Sequence, residues 1–371
     1  MNNKKLCQKI LAQAGIKING QNNWDIQVKN EKLYDRIIKN GSIGLGESYM
    51  DGWWDVKELD VFFDKLLGTH LDKSPELRNL QTILQILKSK FLNAGHKMYA
   101  YEIGEKHYDI GNDLFKLMLE EPMAYSCAYW KNADNLADAQ IAKFDLICQK
   151  LNLQKGDKIL DIGCGWGEFM KYAVEKYKVS AVGITVSEEQ ARWINENYKN
   201  LNLKASIKDY RDLNGKFDKI ISIGMFEHVG YKNYRIYMKK IHSLLETKGL
   251  FLLHTIGRNT SLSTTDPWIE KYIFPKGMLP SIKQIAGSIE GLFVMEDWHN
   301  FGTDYDKTLM VWFDNFNKNW PKISKKYGKR FYRMWKYYLL SSAGNFRCRE
   351  GQLWQVVLSK NGVRDGYKPV R

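Results

Sequence analysis

Short apolar runs alternate with longer stretches of mixed polarity through the middle of the chain. The apolar runs are rich in aliphatic residues, as is typical of buried parallel strands, and lie at residues 159–162, 180–185, 203–207, 218–225 and 251–257. The stretches between them have helical length, and the first of these helices should end near Tyr177. This repeated alternation predicts a doubly wound, Rossmann-like α/β sheet.

The first part of the chain has a different pattern. Residues 1–73 contain brief apolar runs broken by polar turns, which predicts a small N-terminal α+β or helical domain. Residues 74–100 mix leucine, isoleucine and basic residues with no glycine until Gly95, and are expected to form a helical linker. Residues 101–371 are then expected to form one large domain around the predicted sheet.

A glycine cluster follows the first predicted strand. Residues 159–167 read ILDIGCGWG, and glycines at Gly163, Gly165 and Gly167 let the backbone turn tightly and approach a ligand closely. The spacing lacks the later glycine of the dinucleotide fingerprint, which makes NAD the weaker alternative. The loop therefore favours S-adenosylmethionine (AdoMet) as the ligand of a methyltransferase-type sheet.

Polar residues follow the second and third strands at the edge where such sheets bind nucleotides. No acid stands at Thr185 to bind ribose hydroxyls, and Gln190 is the available substitute. Gln190 also completes a capping box with Ser187, which alone would explain it, so both interpretations stay open. Asp209 and Tyr210 are placed to accept the adenine amine and to stack on the base, although Asp209 could equally be an ordinary loop residue.

Two further polar side chains follow the next strands. Glu227 lies just after residues 218–225, and His254 lies within residues 251–257. A single histidine in an apolar strand is more often structural, but two polar groups converging from adjacent strands favour chemistry. Tyr305, in a later polar segment, is a third candidate.

Composition limits the class of protein. The chain has 371 residues and 44% hydrophobic content, enough for one large core and a smaller domain. No signal peptide is recognisable, and no apolar run approaches the roughly 18 residues of a membrane span. The five cysteines are scattered, without metal-binding or disulfide spacing, so we expect no metal site and a cytoplasmic location.

The net charge of +14 is concentrated near the end of the chain. Residues 318–336 contain eight basic residues, no acid and several interleaved aromatic residues. Lys326, Arg330 and Arg333 fall at helical spacing, as expected of a helix on an anionic bilayer. Nucleic acid would suit the same composition. The third interpretation is a solvated basic face whose aromatic residues pack into the core.

Nine segments, in this order and spacing, resemble the cyclopropane-fatty-acyl-phospholipid synthase family over the chain from about His107 to its end. The segments are YSCAYW, ILDIGCGWG, TVSEEQ, DYRDL, GMFEHVG, FLLHTIG, DPWIEKYIFP, MEDWHNFGTDY and QLWQVV. The resemblance implies transfer of the AdoMet methyl group to the cis double bond of a phospholipid acyl chain. Bound bicarbonate then removes a proton so that a cyclopropane ring closes. It also implies a homodimer. Together with the basic segment near the end of the chain, it leads us to expect peripheral association with the cytoplasmic face of the membrane.

The resemblance also implies the site residues. Those that would position bicarbonate are Cys127, Glu227, His254, Ile256 and Tyr305. Of these, Glu227 can accept a hydrogen bond, His254 and Tyr305 can donate one, and the other two would use backbone groups. Those that would contact AdoMet are Tyr125, Ser126, Ile159, Leu160, Asp161, Ile162, Gly163, Cys164, Gly165, Trp166, Gly167, Thr185, Val186, Ser187, Gln190, Asp209 and Tyr210.

One position departs from the family pattern. Members often carry a cysteine before an Ala-Gly pair, and this chain has Ser342 there, with Cys348 too far along to replace it. Methyl transfer to an alkene needs no covalent enzyme intermediate, so this change argues only against a nucleophile at that position. Cys164, between the loop glycines, is expected to be a small packing residue.

Other functions lack the features they need. Adenine methyltransferases carry an Asp/Asn-Pro-Pro-aromatic segment and cytosine C5 enzymes a Pro-Cys nucleophile, and this chain has neither. A methyltransferase for soluble small molecules would not need the basic aromatic segment, and a non-catalytic AdoMet sensor could lose Glu227, His254 and Tyr305. We therefore predict a peripheral membrane enzyme that acts on anionic phospholipid, with no nucleic acid as partner.

Overall fold

The computed structural model describes residues 2–69 and 111–371 of the chain. The predicted linker helix, residues 74–100, lies outside the described residues. The helices are α1 (Asn3–Gln13), α2 (Leu33–Met50), α3 (Leu59–Gly68), α4 (Asn112–Leu119), α5 (Leu136–Lys150), α6 (Glu168–Tyr177), α7 (Glu188–Asn197), α8 (Tyr234–Leu244), α9 (Pro267–Tyr272), α10 (Ile282–Ile289) and α11 (Thr303–Arg347). The strands are β1 (Gln27–Val28), β2 (Trp54–Asp55), β3 (Lys158–Ile162), β4 (Ser180–Thr185), β5 (Leu203–Ile207), β6 (Phe217–Ile223), β7 (Leu245–Arg258), β8 (Val294–Asn300) and β9 (Gly351–Ser359).

Within the described ranges, one seven-stranded sheet has the order β5-β4-β3-β6-β7-β9-β8. Strands β3 to β7 pair in parallel, whereas β8 pairs with β9 antiparallel. This confirms the doubly wound α/β prediction, and the bounds of β4, β5 and the end of α6 are those expected. The chain progresses in opposite directions from β3 and β6, which creates the crevice where such folds bind ligands.

Two strand predictions need correction. The predicted run 218–225 ends earlier, because β6 stops at Ile223 and Gly224 turns the backbone with φ of 65°. The predicted run 251–257 is the second half of the longer β7, whose first half includes the polar residues 246–248. Hydrophobicity alone could not show that these polar residues continue the strand.

The sheet is covered on both faces. Successive strand residues point to opposite sides, and the two first apolar residues of β3 show this. Ile159 packs with Phe144 and Met170 on one side, while Leu160 packs with Tyr237 and Phe251 on the other. Burial on both faces explains why the strands are continuously apolar.

The chain forms two compact units that are discontinuous in sequence. Of the described residues, the N-terminal unit contains 2–69, 263–275 and 305–351, and the sheet unit contains 111–262, 276–304 and 352–371. This grouping cuts across the predicted boundaries at residues 73 and 100. Those boundaries stay a prediction, because compactness does not test which segment folds independently.

The N-terminal unit combines helices with the small antiparallel sheet of β1 and β2, which confirms the predicted α+β character. Its core is aromatic: Tyr337 lies 4.5 Å from Trp268 and 5.5 Å from Tyr49 between ring centroids. Gly46 lacks space for a Cβ because the Trp268 indole occupies that position.

Within the described part of the chain, no helix combines the length and apolar composition that a membrane span requires.

The basic aromatic segment is less regular than its spacing predicted. Gly328 interrupts α11 with φ of 76°, so Lys326 is separated from Arg330 and Arg333 by a break in the helix. Arg333 is mostly covered and donates hydrogen bonds to the carbonyl oxygens of Tyr49 and Trp54. Packing therefore explains Arg333, and the same holds for the fully buried Trp335. The exposed lysines of the segment are Lys318, Lys322, Lys325, Lys326 and Lys329.

Candidate active site

A cavity opens at the carboxyl ends of β3, β4, β5 and β6, at the switch point of the sheet. Predicted AdoMet contacts form much of its wall. They are Tyr125, Ser126, Asp161, Ile162, Gly163, Cys164, Gly165, Trp166, Thr185, Val186, Gln190, Asp209 and Tyr210. The cavity lies wholly within the sheet unit, so the strand ends and the loops after them define its shape.

The glycine loop has the backbone that its sequence predicted. Gly163, Gly165 and Gly167 have φ of 83°, 54° and 82°, a region that residues with a Cβ rarely adopt. A Cβ on Gly165 would meet no atom within 4 Å, so this backbone faces open space. A Cβ on Gly167 would instead approach Ile194 of α7. The loop therefore serves both ligand approach and helix packing.

Asp161 brings a carboxyl group to the end of β3 without exposing it to water. The residue is 1% exposed, and its Oδ1 has no hydrogen-bond partner among the described residues. Burial raises the pKa of Asp161 to about 7, and the nearby charge of Lys143 opposes that rise. A buried carboxyl oxygen without a partner in a ligand cavity favours a ligand that donates to it.

Gln190 is arranged differently from the predicted capping box. Ser187 caps α7 by accepting from the Gln190 backbone N–H, as expected. The return contact is missing, because Thr185 Oγ1 accepts the Ser187 N–H and donates to Gln190 Oε1 at 2.7 Å. Gln190 Nε2 is buried and has no partner within the described ranges. This arrangement favours the ribose-binding interpretation of Gln190.

The predicted adenine-binding pair is already engaged within the protein. Both Asp209 carboxylate oxygens accept from the Arg211 side chain at 2.7 Å. The Tyr210 ring packs edge-on against Tyr237, with centroids 5.0 Å apart. Asp209 is therefore more than a loop residue, since it fixes Arg211 at the wall of the cavity.

Four predicted AdoMet contacts do not line the cavity. They are Ile159 and Leu160 in the core, Gly167 against α7, and Ser187 at its helix cap. Sequence reasoning also missed several lining residues: Met123, Lys143, Phe144, Glu168, Arg211, Met225 and His228. For Lys143 a signal existed, because Gln140 and Lys143 are polar residues three apart on an otherwise apolar helix face.

Glu227 and Ile256 are in direct contact. Glu227 Oε1 accepts from the Ile256 backbone N–H at 2.6 Å, while its Oε2 is buried with no partner among the described residues. Burial raises the pKa of Glu227 to about 7, and the Ile256 hydrogen bond opposes that rise. The Ile256 N–H is thus donated to Glu227, and the use of the Ile256 backbone toward bicarbonate stays a prediction.

His254 lies beside Gln355 of β9. Burial lowers the pKa of His254 well below its ordinary value, and the charges of Lys143 and Lys150 lower it further. The ring is therefore neutral, and its Nδ1 is 3.3 Å from Gln355 Nε2. An amide donor there assigns the ring hydrogen to Nε2. That Nε2 is buried and unpartnered within the described residues, so a donor is available.

The remaining two predicted residues have different surroundings. Cys127 is fully buried, and its Sγ donates to the Ala128 carbonyl at 3.2 Å. Tyr305 belongs to the N-terminal unit, where its ring packs 4.5 Å from Phe346 and 5.9 Å from Trp312. Burial raises the pKa of the Cys164 thiol, which agrees with a packing role for that residue.

Comparisons with known proteins identify the family. The family model for mycolic acid cyclopropane synthetase matches residues 96–356. The chain is 50% identical to the cyclopropane-fatty-acyl-phospholipid synthase of Escherichia coli strain K12 over 367 residues, 99% of this chain and 96% of the relative. It is 31% identical to tuberculostearic acid methyltransferase UfaA1 of Mycobacterium tuberculosis, over 90% and 82% of the two chains.

Solved structures agree. The cyclopropane synthase MmaA2 of Mycobacterium tuberculosis has 31% identity and a TM-score of 0.67, over 70% of this chain and 98% of that one. The mycolic acid cyclopropane synthase CmaA1, complexed with S-adenosylhomocysteine (SAH) and CTAB, has 32% identity and a TM-score of 0.66 over 70% and 98%. The chain therefore belongs to the mycolic acid cyclopropane synthetase family, and so to the AdoMet-dependent methyltransferases that form cyclopropane rings.

Proposed function

We propose that this chain methylates the cis double bond of an unsaturated phospholipid acyl chain and closes a cyclopropane ring, with bicarbonate as the base. The observation that carries the proposal is the pair of unpartnered polar atoms, Glu227 Oε2 and His254 Nε2, among the residues the structure describes. Glu227 follows β6, and His254 lies within the adjacent parallel strand β7, at the cavity end of the sheet. The likeness over 99% of this chain to a relative named cyclopropane-fatty-acyl-phospholipid synthase supports the substrate class.

The cavity residues fit AdoMet, which supplies the electrophilic methyl group when bound. The glycine loop provides close backbone approach, and Gln190 Nε2 provides a donor for a ribose hydroxyl. We restrict the proposed contacts to the thirteen predicted residues that line the cavity. Arg211, held by Asp209, is added to them at the adenine end.

The pair Glu227 and His254 fits bicarbonate, which supplies a base when bound. Bicarbonate has one hydroxyl to donate and other oxygens to accept, which matches an acceptor at Glu227 and a donor at His254. Ile256 contributes by holding Glu227 through its N–H. Cys127 and Tyr305 stay in the proposal as the remaining family positions.

The reaction balances with these groups. The alkene electron pair forms a bond to the methyl carbon as the carbon–sulfur bond breaks, leaving SAH and a positive charge on the acyl chain. A base then takes one proton from the transferred methyl group, and that C–H electron pair closes the ring. Water would capture this cation, so the reaction needs a dry site, and the low exposure of Glu227 and His254 is consistent with one.

We further propose peripheral association with an anionic membrane surface. The five exposed lysines of residues 318–329 supply the attraction, because each basic residue near such a surface contributes roughly 1 kcal/mol. A homodimer stays a prediction.

The function is tested by incubating the purified chain with AdoMet and vesicles of cis-unsaturated phospholipid, with and without bicarbonate. We expect SAH release and loss of acyl double bonds, both increased by bicarbonate. With matched vesicles of saturated phospholipid, the chain should form no SAH. SAH release that continues with saturated lipid, or double bonds that persist, would contradict the substrate assignment.

A further inference from the structure

Lys143 is a charged side chain with no access to solvent. It lies on α5, is 0% exposed and lines the cavity beside Ser126 and Asp161. Burial lowers its pKa to about 7, although Cys127 and Asp161 favour its charged form. A lysine in such a place costs folding free energy unless something compensates it. The sequence motifs give it no role.

The hydrogen bonds of Lys143 use only part of its donor capacity. Its Nζ donates to Ser126 Oγ at 2.8 Å and to Gln140 Oε1 at 2.6 Å. An ammonium group has three hydrogens, and no third acceptor lies within the described residues. The Phe144 ring, 4.7 Å from Nζ, adds only a weak attraction. Among the described residues, one donor of Lys143 therefore remains unused.

Gln140 orients this lysine and the cavity wall together. Its Nε2 donates to the carbonyl oxygens of Ala124 and Ser126, while its Oε1 accepts from Lys143. The segment that carries Tyr125 and Ser126 is thus held to α5 by two buried polar side chains. Lys143 is preorganised, because its neighbours leave it one direction in which to donate.

Asp161 supplies the opposite charge in the lining of the same cavity. No ion pair joins it to Lys143 among the described residues, yet each favours the charged form of the other. An unpartnered carboxyl and an underused ammonium thus line one ligand site. A ligand with an α-ammonium and an α-carboxylate would complement both.

We propose that Lys143 binds the α-carboxylate at the methionine end of AdoMet and that Asp161 accepts from the α-ammonium. The inference rests on the proposed AdoMet binding and adds to it a residue that recognises the amino-acid end. The rival anion is bicarbonate, since the charge of Lys143 also acts on His254. The cavity lining favours the carboxylate, because Lys143 and Asp161 line it and His254 does not.

The test measures binding by calorimetry for two ligands, SAH and 5′-methylthioadenosine, which lacks the amino-acid end. For Lys143→Met we expect SAH affinity to fall at least about tenfold, the usual loss for a charged hydrogen bond, and methylthioadenosine affinity to change less than about threefold. Lys143→Arg should recover part of the SAH affinity. Lys150→Met is the matched control, because Lys150 is equally buried on α5 but pairs with Asp297.

Each other result has a defined meaning. Equal losses for both ligands would reduce Lys143 to a residue that only positions the loop, and would overturn the inference. If Lys143→Met binds SAH as well as the original chain but needs more bicarbonate, then Lys143 binds bicarbonate. That result would also overturn the inference. If Lys143→Met does not fold, the original chain is tested with a descarboxy analogue of SAH instead. Binding of this analogue as tightly as SAH would overturn the inference. A chain that binds no SAH at all contradicts the proposed function instead.

Discussion

Glu227 keeps a carboxyl group where water cannot solvate it. Burial raises its pKa from about 4.5 to about 7, so between these values the folded chain holds a proton that the unfolded chain has released. Folding is then favoured by low pH, and this contribution to stability is lost as the pH rises toward 7. Glu227 thus lowers the free energy of unfolding above about pH 7, where its carboxylate is charged and can accept a hydrogen bond from bicarbonate.

This predicts the behaviour of Glu227→Gln. Because glutamine does not titrate, the variant should gain free energy of unfolding relative to the original chain as the pH goes from about 5 to about 8. Urea denaturation at both pH values measures that difference. Ring formation should fall at least about 100-fold, since the acceptor for the base is lost. A stability difference that does not change with pH would contradict the assigned shift.

Gln355 is predicted to select the tautomer of His254. Gln355→Leu removes the amide 3.3 Å from Nδ1, so the neutral ring can carry its hydrogen on either nitrogen. We expect a roughly tenfold lower kcat and a changed nitrogen NMR signature of His254, with little change in SAH affinity. A spectrum unchanged by the substitution would show that another group fixes the ring.

The residues found by sequence were those with local signals. Gly163 and Gly165 stand in a recognisable loop, and Glu227 follows a recognisable strand. Gln355 and Lys143 were missed, because they reach the site through sheet order and helix packing. The local signal for Lys143 was limited to its spacing of three residues from Gln140. Gln355 is 101 residues from His254 along the chain, and only the placement of β9 next to β7 brings them together.

At the scale of elements, parallel strands were predictable because burial on both faces makes them apolar throughout. α11 was less predictable, since Gly328 breaks its spacing and Arg333 turns inward. Arg333 also places its guanidinium 4.0 Å from the Tyr49 ring centroid. A basic residue at regular spacing was thus structural, although its charge suggested a membrane surface.

We predict that Arg333→Met destabilises the chain by about 2–4 kcal/mol, because two backbone carbonyls lose a donor and Asp55 keeps only Lys29 as its partner among the described residues. Arg330→Met is the matched control, since Arg330 is 54% exposed in an ion pair with Asp51 and should lose less than about 1 kcal/mol. Chemical denaturation compares them. Equal losses would contradict the structural role of Arg333.

The proposed binding to an anionic membrane surface depends on the exposed lysines of α11. Replacing Lys318, Lys322, Lys325, Lys326 and Lys329 by Gln should weaken binding to anionic vesicles at least about 100-fold at low salt, with less effect at high salt. The matched control replaces as many exposed lysines of the sheet unit: Lys155, Lys178, Lys199, Lys204 and Lys248. Co-sedimentation measures both, and equal losses would show that only net charge matters.

At the scale of the molecule, the chain leaves the sheet unit and returns to it. Residues 263–275 and 305–351 belong to the N-terminal unit, so one predicted contiguous domain is divided between two compact units. Hydrophobic pattern reports which residues are buried but not which segment covers them. The fold of the sheet was predictable from local pattern, whereas this grouping depends on contacts between distant segments.

In the proposed reaction, the transferred methyl carbon becomes part of a cyclopropane ring. We would supply AdoMet with a fully deuterated methyl group and vesicles of cis-unsaturated phospholipid, and analyse the acyl chains by mass spectrometry. We expect a product that retains two of the three deuterium atoms and has lost its double bond, because one deuterium is removed as the ring closes. Acyl chains that keep all three, or that carry no label, would contradict ring formation by this enzyme.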